Sequence, residues 1–226
     1  MRFSEWEPVY EEIIKDLGIE RTADGSSARL LKMLTLNSDM ISEDELREII
    51  RTEAVVVGGN VSNDDINILC SVAKERTMIS AGSATDVLVM NNIIPDIVVT
   101  DLDGDTEKQK KASSFGSVTL IHAHGDNTDL IMEHAKNFKG KIMITTQSSP
   151  DTILSNFGGF TDGDRAVCLA RHFGVKNITL IGFNFDTPAY RSDTDMEMKK
   201  RKLKWAKKII FDMNPFDVLI TDSDRP

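Results

Sequence analysis

Apolar side chains recur at helical spacing over the first fifty residues. Four of them lie three or four positions apart and predict one amphipathic helix; they are Trp6, Tyr10, Ile13 and Leu17. The dipeptide Asp24-Gly25 predicts a turn after this helix. Ser42 and Glu45 have the spacing of a capping box and predict the start of a further helix. Residues 1–51 are therefore predicted to form a helical N-terminal segment.

From about residue 52 the pattern changes to short β-branched runs, each followed by a helical stretch. Seven segments share this pattern; they are residues 54–57, 77–79, 97–100, 118–122, 141–145, 177–181 and 216–221. Their apolar positions do not alternate strictly, which is typical of strands buried on both faces of a parallel sheet. Residues 52–226 are therefore predicted to form an α/β domain with a doubly wound, mostly parallel sheet. The polar stretch 187–195 is predicted to be a mobile loop.

Composition narrows the class of protein. The chain has 226 residues, 40% of them hydrophobic, and a formal net charge of −9. It can close a core, and its acidic balance argues against a nucleic-acid partner. No apolar run approaches the roughly 18 residues of a membrane span, and the first residues carry no apolar stretch of a secretory signal. Cys70 and Cys168 do not suggest a disulfide framework. We expect a cytoplasmic protein without a membrane partner.

Small and acidic residues follow each predicted strand. In open α/β sheets ligands bind outside the carboxyl ends of the strands, so these segments are the candidate site. Gly58, Gly59 and Ser62 follow the first strand, and Gly82 and Ser83 follow the second. We expect their backbone N–H groups to contact the phosphates of a nucleotide at helix starts. Neither segment is a P-loop, because neither contains Gly-Lys-Ser/Thr.

Three carboxylates follow the third predicted strand at alternate positions. They are Asp101, Asp103 and Asp105, and Gly104 allows the strand to break so that they converge. Carboxylate oxygens suit Mg²⁺, which completes its coordination with water and substrate phosphates. The segment therefore predicts a magnesium site, and its alternative interpretation is a polar turn.

Further charged residues follow later strands. Asp126 and Asp129 open the next helix, either as N-terminal caps or as part of the site. His122 and His124 alternate, so we expect one to contact phosphate and the other to pack inside. The guanidinium of Arg165, in a predicted Gly-Asp-Arg turn, suits bidentate binding of phosphate. A lysine-rich helix at 199–208 is either a solvated face or the source of a cation that closes over polyphosphate.

Three segments occur in a characteristic order: PDIVVTDLDGD at 95–105, IHAHGDN at 121–127 and NFGGFTDGDRAV at 156–167. Together they resemble the archaeal 6-hydroxymethyl-7,8-dihydropterin pyrophosphokinases, from about residue 54 to the end of the chain. More distantly, the chain resembles thiamin pyrophosphokinase, whose Asp-x-Thr-Asp motif falls on Asp126, Thr128 and Asp129.

The resemblance implies a Rossmann-like catalytic domain similar to that of thiamin pyrophosphokinase. It implies diphosphate transfer from ATP to a reduced pterin, with AMP as the second product, in folate or methanopterin-type coenzyme biosynthesis. It also implies a homodimer and Mg²⁺ bound by Asp101, Asp103 and Asp129.

Other roles follow from the same resemblance. Asp126 or Asp105 is the candidate base, and Arg165 stabilises charge on the phosphates. Further contacts to ATP or the pterin are expected from polar and small residues of the motifs; they are His124, Thr128, Asn156 and Gly163. Gln147, Phe157, Asn184 and Phe185 are additional candidates for the pterin ring.

One departure leaves alternatives open. Ala81 stands where both families tend to have Asp, which leaves either a weaker activity or compensation by another acid such as Asp86 or Asp96. The alternatives are a thiamin acceptor, a phosphatase of the haloacid-dehalogenase type with Asp101 as nucleophile, and a noncatalytic nucleotide-binding domain.

Overall fold

The computed structural model describes residues 1–187 and 195–222, apart from the side chain of Thr22. Over these residues, eight strands form one sheet in the order β6-β5-β4-β3-β2-β1-β7-β8. The strands are β1 Glu53–Val57, β2 Thr77–Ala81, β3 Ile97–Thr100, β4 Val118–Ala123, β5 Ile142–Thr146, β6 Leu154–Ser155, β7 Asn177–Ile181 and β8 Leu219–Asp222. All their pairings are parallel. The predicted doubly wound α/β class is confirmed.

The chain runs outward from β1 to β6 and then returns to place β7 on the other side of β1. The neighbours of β1 are therefore reached in opposite directions, which makes this a topological switch point. The strand β6 was not predicted, because two residues give no periodicity. The other strands lie where the β-branched runs predict them, to within a few residues.

Over the described residues, three helices precede β1 and the other helices connect successive strands. They are α1 Phe3–Leu17, α2 Thr22–Leu34, α3 Glu43–Ile49, α4 Ile66–Val72, α5 Ala84–Met90, α6 Thr106–Ser114, α7 Thr128–His134, α8 Asp162–His172 and α9 Met196–Lys207. A 3₁₀ turn, Gly125–Asn127, precedes α7, another, Ala135–Asn137, follows it, and a π-helical turn, Lys208–Asp212, continues α9.

The N-terminal helices confirm most of the sequence pattern. In α1 the four expected apolar side chains are buried, and the Ser42–Glu45 capping box opens α3 with both hydrogen bonds present. The predicted turn at Asp24-Gly25 is wrong, because both residues lie in the first turn of α2. The chain reverses earlier, at the left-handed residue Gly18 that caps α1. An acidic residue near a helix N-terminus is favoured by the helix dipole, so Asp24 suits this position.

Helices cover both faces of the sheet. Val56 of β1 belongs to the core beneath α3, α8 and the π-helical turn, whereas Val55 belongs to the core beneath α4 and α5. On the same side as α4 and α5, α2 and α7 pack with Ile121 and Ile144. Burying one such branched side chain contributes about 1.5–3 kcal/mol. The non-alternating pattern of the strands follows from this two-sided burial.

The N-terminal helices pack on the α/β part of the chain. Helix α1 contacts α9, and Trp6 shares a buried cluster with Cys168 of α8. The division of the chain at residue 51 stays a prediction. Of the predicted loop 187–195, residues 188–194 lie outside the described residues. No helix in the described part of the chain is long and apolar enough to cross a bilayer.

Candidate active site

A cavity of about 700 Å³ lies at the carboxyl ends of the strands. Segments after β1, β2, β3, β4, β5 and β7 line it, together with the start of α8. The α1–α2 connection and one face of α9 form two further walls. The cavity therefore occupies the sheet edge where open α/β sheets bind ligands.

Most of the predicted site residues line this cavity. They are Gly58, Gly59, Ser83, Asp101, Asp103, His124, Asp126, Gly163 and Arg165. Residues from four loops and from the start of α8 are thus brought together, because the parallel strands end at one edge.

Ser62 does not line the cavity. Its backbone N–H and its hydroxyl both donate to the carboxylate of Asp65, each at 2.8 Å. Helix α4 begins only at Ile66, so the segment after β1 does not pass directly into a helix. The prediction that Ser62 contacts phosphate is therefore corrected to a local turn role.

Thr128 and Asn156 are also outside the cavity lining. The hydroxyl of Thr128 bonds to that of Ser27 at 2.7 Å and joins α7 to α2. The side-chain amide of Asn156 donates to the Ser148 carbonyl at 2.8 Å and its oxygen accepts from the Gly158 N–H. Thr128 therefore links two helices, and Asn156 stabilises its own loop. Partners within the protein satisfy the hydrogen bonds of both side chains.

The predicted metal set of Asp101, Asp103 and Asp129 is not assembled. Asp129 is exposed in the first turn of α7 and does not line the cavity. Asp105 likewise caps α6, where it accepts from the N–H groups of Glu107 and Lys108. In both cases the acid sits at a helix start, where capping and the dipole favour it.

The carboxylates of Asp101 and Asp103 reach the cavity through an unusual turn. Leu102 between them has φ +71°, in addition to the φ +107° of Gly104. Its N–H donates to the Thr100 hydroxyl at 2.8 Å, and its side chain is fully buried. A left-handed conformation in a bulky residue costs on the order of 1–3 kcal/mol. The expected break at Gly104 is therefore corrected: it begins at Leu102, which is held there by its buried side chain.

Asp101 lies among charged neighbours. The His124 ring is 3.3 Å from its carboxylate, and the Asp103 N–H donates to it at 3.1 Å. Burial alone would raise the pKa of Asp101, but the hydrogen bond from His124 and the charges of His124 and Arg165 outweigh it and lower the pKa to about 2. Asp101 is therefore held as a carboxylate.

Arg165 lies inside α8 rather than in the predicted Gly-Asp-Arg turn. It is only 6% exposed, and its two terminal nitrogens donate to Asp162 at 3.2 Å and to Gln147 at 3.3 Å. The Thr161–Asp164 capping box starts the helix one turn earlier than the sequence interpretation allowed. The guanidinium is thus fixed in the cavity wall by two partners.

Asp162 is the main acid that the sequence analysis missed. It lines the cavity, and a Cβ added to Gly82 would lie 2.6 Å from its carboxylate oxygen. Gly82, which was expected to contact phosphate through its N–H, does not line the cavity and donates that N–H to the Val99 carbonyl. It has φ +50°, and its missing Cβ leaves room for Asp162. Asp162 thus stands beside the end of β2, next to Ala81, the position at which the resemblance implies an acid. The sequence feature that could have identified Asp162 is its position within the 156–167 motif.

The two acids that were expected to compensate for Ala81 have other contacts. Asp96 accepts from the Met78 N–H at 2.8 Å, ahead of β3 and so at the opposite edge of the sheet. Asp86 accepts from the Asp105 N–H at 3.3 Å in the loop before α6. Neither lines the cavity.

The carboxylates of Asp101, Asp103 and Asp162 suit a divalent cation that also binds phosphate. Burial and the neighbouring charge of Asp101 raise the pKa of Asp162 well above its ordinary value, against the opposing charge of Arg165. A cation beside two such carboxylates would relieve their repulsion. Among the described residues, no three His, Cys, Asp or Glu side chains lie close enough to hold a metal by themselves. Mg²⁺ fits this arrangement, because it often takes only one or two carboxylates.

The two histidines separate as the alternation predicts. His124 lines the cavity, whereas His122 is buried and bonds through Nδ1 to the Thr145 hydroxyl at 2.9 Å. Burial, with the nearby charges of Arg165 and His124, lowers the pKa of His122 well below its ordinary value. His122 is therefore a neutral interior residue.

Helix α9 contributes both cations and apolar surface. Lys199 and Lys202 line the cavity beside Leu203 and Ala206. The Lys202 ammonium lies 5.8 Å from the centre of the Phe160 ring. Its neighbour Lys204 is exposed and outside the cavity lining. The lysine-rich helix is therefore divided between a cavity face and a solvated face.

The α1–α2 wall was not predicted to belong to the site. Asp24 lines the cavity although it is only 1% exposed. It accepts hydrogen bonds from the Tyr10 hydroxyl, the Gly125 N–H at 2.9 Å and the Gln147 amide at 3.1 Å. Burial and the bond to Asp24 raise the pKa of Tyr10 above its ordinary value. A Cβ at Gly125 would lie 2.5 Å from that of Ala23, so this glycine permits the close contact.

Comparison with protein families matches residues 30–189 to a family described as 6-hydroxymethylpterin diphosphokinase MptE-like. Three similar curated proteins carry the name 6-hydroxymethyl-7,8-dihydropterin pyrophosphokinase. The protein from Pyrococcus furiosus is 38% identical over 222 residues, covering 93% of each chain. Those from Methanocaldococcus jannaschii and Methanothermobacter thermautotrophicus are each 35% identical, covering 93% of this chain and 95% and 94% of their own.

Among solved structures, the chain is similar to the MAf glycosyltransferase from Magnetospirillum magneticum AMB-1. The TM-score is 0.56 at 14% identity, over 91% of this chain. The match spans 39% of the length of that glycosyltransferase. At this identity the likeness concerns the α/β fold alone.

Proposed function

The chain belongs to the 6-hydroxymethylpterin diphosphokinase MptE-like family, and from this premise we propose that it transfers diphosphate from ATP to 6-hydroxymethyl-7,8-dihydropterin and releases AMP. The single observation that carries the proposal is one cavity in which two kinds of group meet. Asp101 and Asp162 provide the acids, and Arg165 and Lys202 provide cations for polyphosphate. The carboxyl edge of a parallel sheet is where such a substrate binds.

The reaction is a displacement at phosphorus. The hydroxyl oxygen of the acceptor bonds to the β-phosphorus of ATP, and the bond from that phosphorus to the oxygen bridging the α-phosphate breaks. AMP leaves with that oxygen, and the acceptor keeps the diphosphate. Such reactions are catalysed mainly by positioning and by neutralisation of charge. Asp126 lines the cavity and is exposed, so it can pass the hydroxyl proton to solvent.

The proposed metal-binding residues are Asp101 and Asp162, with Asp103 beside them. Mg²⁺ bound there would neutralise phosphate charge and orient the β-phosphate. Asp162 stands near Ala81, the position at which the resemblance implies an acid. We propose that the Asp162 carboxylate takes the role of that acid. Asp129, which the resemblance implied as a ligand, is exposed outside the cavity.

Arg165 is the proposed phosphate-binding guanidinium. Its bonds to Asp162 and Gln147 fix the side chain before substrate arrives. A preorganised cation needs no reorganisation when charge develops on the phosphates. Lys202 approaches from α9, on another wall of the cavity, so the two cations are placed to hold the polyphosphate between them.

The test is AMP formation from ATP and Mg²⁺ with the dihydropterin, with thiamin or with no acceptor. AMP that appears only with the pterin is the expected result. AMP only with thiamin would assign the sister activity, and tight ATP binding without turnover would favour the noncatalytic alternative. A phosphoaspartate trapped at Asp101 would instead support the phosphatase alternative. Light scattering on the same preparation tests the homodimer.

A further inference from the structure

Asp24 is a buried carboxylate in the cavity wall that the proposed reaction does not use. It comes from the first turn of α2, whereas the phosphate-binding residues follow strands or begin α8. The three hydrogen bonds described at this carboxylate come from neutral groups: Tyr10, Gly125 and Gln147. Buried acids are usually paired with cations, because removing a charge from water is costly. A carboxylate kept in a cavity wall by neutral donors suits a ligand that brings further donors.

The carboxylate retains capacity for such a ligand. An ionised carboxylate offers about four lone-pair sites. Oδ1 accepts from Gly125 and Gln147, and Oδ2 accepts from Tyr10. Oδ2 therefore has one lone-pair site left. Oδ1 gains one when the Gln147 amide turns from Asp24 to a bound ligand. Ile19 and Ala23 line the cavity next to Asp24 and supply apolar surface for a flat ring.

We propose that Asp24 binds the donor edge of the acceptor, namely the amino group and the adjacent ring N–H of its 2-amino-4-oxopyrimidine part. This inference rests on the proposed function. Two parallel N–H groups match the two oxygens of a carboxylate, as in the bidentate pairing of arginine with carboxylates. The oxo group is the next position round the ring, where Gln147 can donate its amide N–H.

The same chemistry discriminates between the two substrates. The adenine of ATP presents an amino donor beside a ring-nitrogen acceptor, so a carboxylate would face a lone pair instead of a second N–H. Asp24 therefore selects the pterin at its end of the cavity. Gln147 also accepts from Arg165, which in turn donates to Asp162. This series of bonds runs from the acceptor end to the phosphate end, and the hydroxymethyl group lies on the ring remote from the donor edge.

The test measures binding to the full chain of 6-hydroxymethyl-7,8-dihydropterin, of its 2-oxo analogue, and of α,β-methylene-ATP with Mg²⁺. Asp24→Asn keeps the size of the side chain and removes its charge. We expect pterin affinity to fall about 10- to 100-fold, because hydrogen bonds to a charged partner are lost. Affinity for the ATP analogue stays within about threefold, a change of less than 1 kcal/mol.

The 2-oxo analogue separates a direct contact from a structural role. In the wild-type chain, replacing the amino group by oxo should weaken binding about 10- to 100-fold, and in Asp24→Asn this difference should disappear. Tyr10→Phe is the control, because it removes one support of Asp24 but keeps its carboxylate, and the amino-to-oxo difference should persist.

Each contrary result overturns a defined statement. Equal pterin affinity of Asp24→Asn and wild type overturns the role of Asp24 and leaves the proposed function standing. Parallel loss of pterin and ATP-analogue affinity, with the amino-to-oxo difference intact, shows a structural role and also overturns it. Failure of the wild-type chain to bind the pterin at all overturns the proposed function and this inference together.

Discussion

Two aspartates that line the cavity, Asp101 and Asp24, are held in opposite ways. Asp101 lies at the end of β3 beside His124 and Arg165, and their charges lower its pKa to about 2. Asp24 lies in a helix and is held by neutral donors only, as far as the described residues show. One residue type therefore serves two environments in the wall of one cavity. We call the part beside Asp24 the acceptor end, and the part beside Asp101 and Asp162 the phosphate end.

The difference assigns different tasks to the two ends. A carboxylate beside cations and beside Asp162 suits a site that binds a metal ion together with phosphates. A carboxylate among neutral donors suits recognition of a neutral ring by hydrogen bonds. Substitutions at each part of the cavity test this difference.

Asp101→Asn should impair catalysis at the phosphate end most strongly. We expect kcat for AMP formation to fall about 10²–10³-fold or more, because a charge beside the reacting phosphates is lost. The matched control is Asp105→Asn, a change of the same type in the same loop. Residue 105 lies outside the cavity lining, and asparagine can keep its role as helix cap. Similar losses in both variants would contradict the assignment of Asp101.

Gly82→Ala should displace Asp162. The new Cβ would lie 2.6 Å from the Asp162 carboxylate, so we expect kcat/KM to fall about 10- to 100-fold by misplacement of that group. Gly116→Ala is the control, since Gly116 also has positive φ but nothing within 4 Å of its added Cβ. It should lose stability, about 1 kcal/mol by denaturant unfolding, and keep its activity. Unchanged turnover in Gly82→Ala would remove Asp162 from the site.

Gly125→Ala should disturb the acceptor end alone. Its Cβ would meet that of Ala23 at 2.5 Å and push α2 away from the cavity. We expect pterin affinity to fall about tenfold, with ATP-analogue affinity retained. Gly140→Ala makes an equally severe clash, 2.3 Å from the Ser113 carbonyl, outside the cavity lining. If both variants weaken pterin binding equally, the effect is one of stability and not of the α2 wall.

Lys202→Ala should have the smallest effect. The ammonium is partly exposed, so its attraction for phosphate is weakened by solvent and by salt. We expect KM for ATP to rise about three- to tenfold, less at high salt, with kcat within about twofold. Lys204→Ala on the exposed face of α9 is the control, and it should leave KM unchanged. A rise in KM with Lys204→Ala would make the effect one of net charge.

The sequence could indicate which residues at strand ends lie together for a simple reason. Parallel strands finish at one edge, so Asp101, Asp103 and His124 could be assigned to one site before any contact was known. Several of the predicted residues that lie outside the cavity have local partners instead, as Ser62 has in Asp65. Asp129 was expected in the metal site but lies outside the cavity. An acid at a helix start has a local capping role, and sequence spacing alone does not distinguish that role from metal binding.

The α/β class, most strand positions and the grouping of acids and glycines at one sheet edge could be read from the residues alone. These features depend on local periodicity and on the order of strands along the chain. The position of Asp162 beside Gly82, and of Asp24 in the cavity wall formed by α2, became visible only in the folded chain. Both depend on the approach of segments at least eighty residues apart, which packing sets and no spacing rule records.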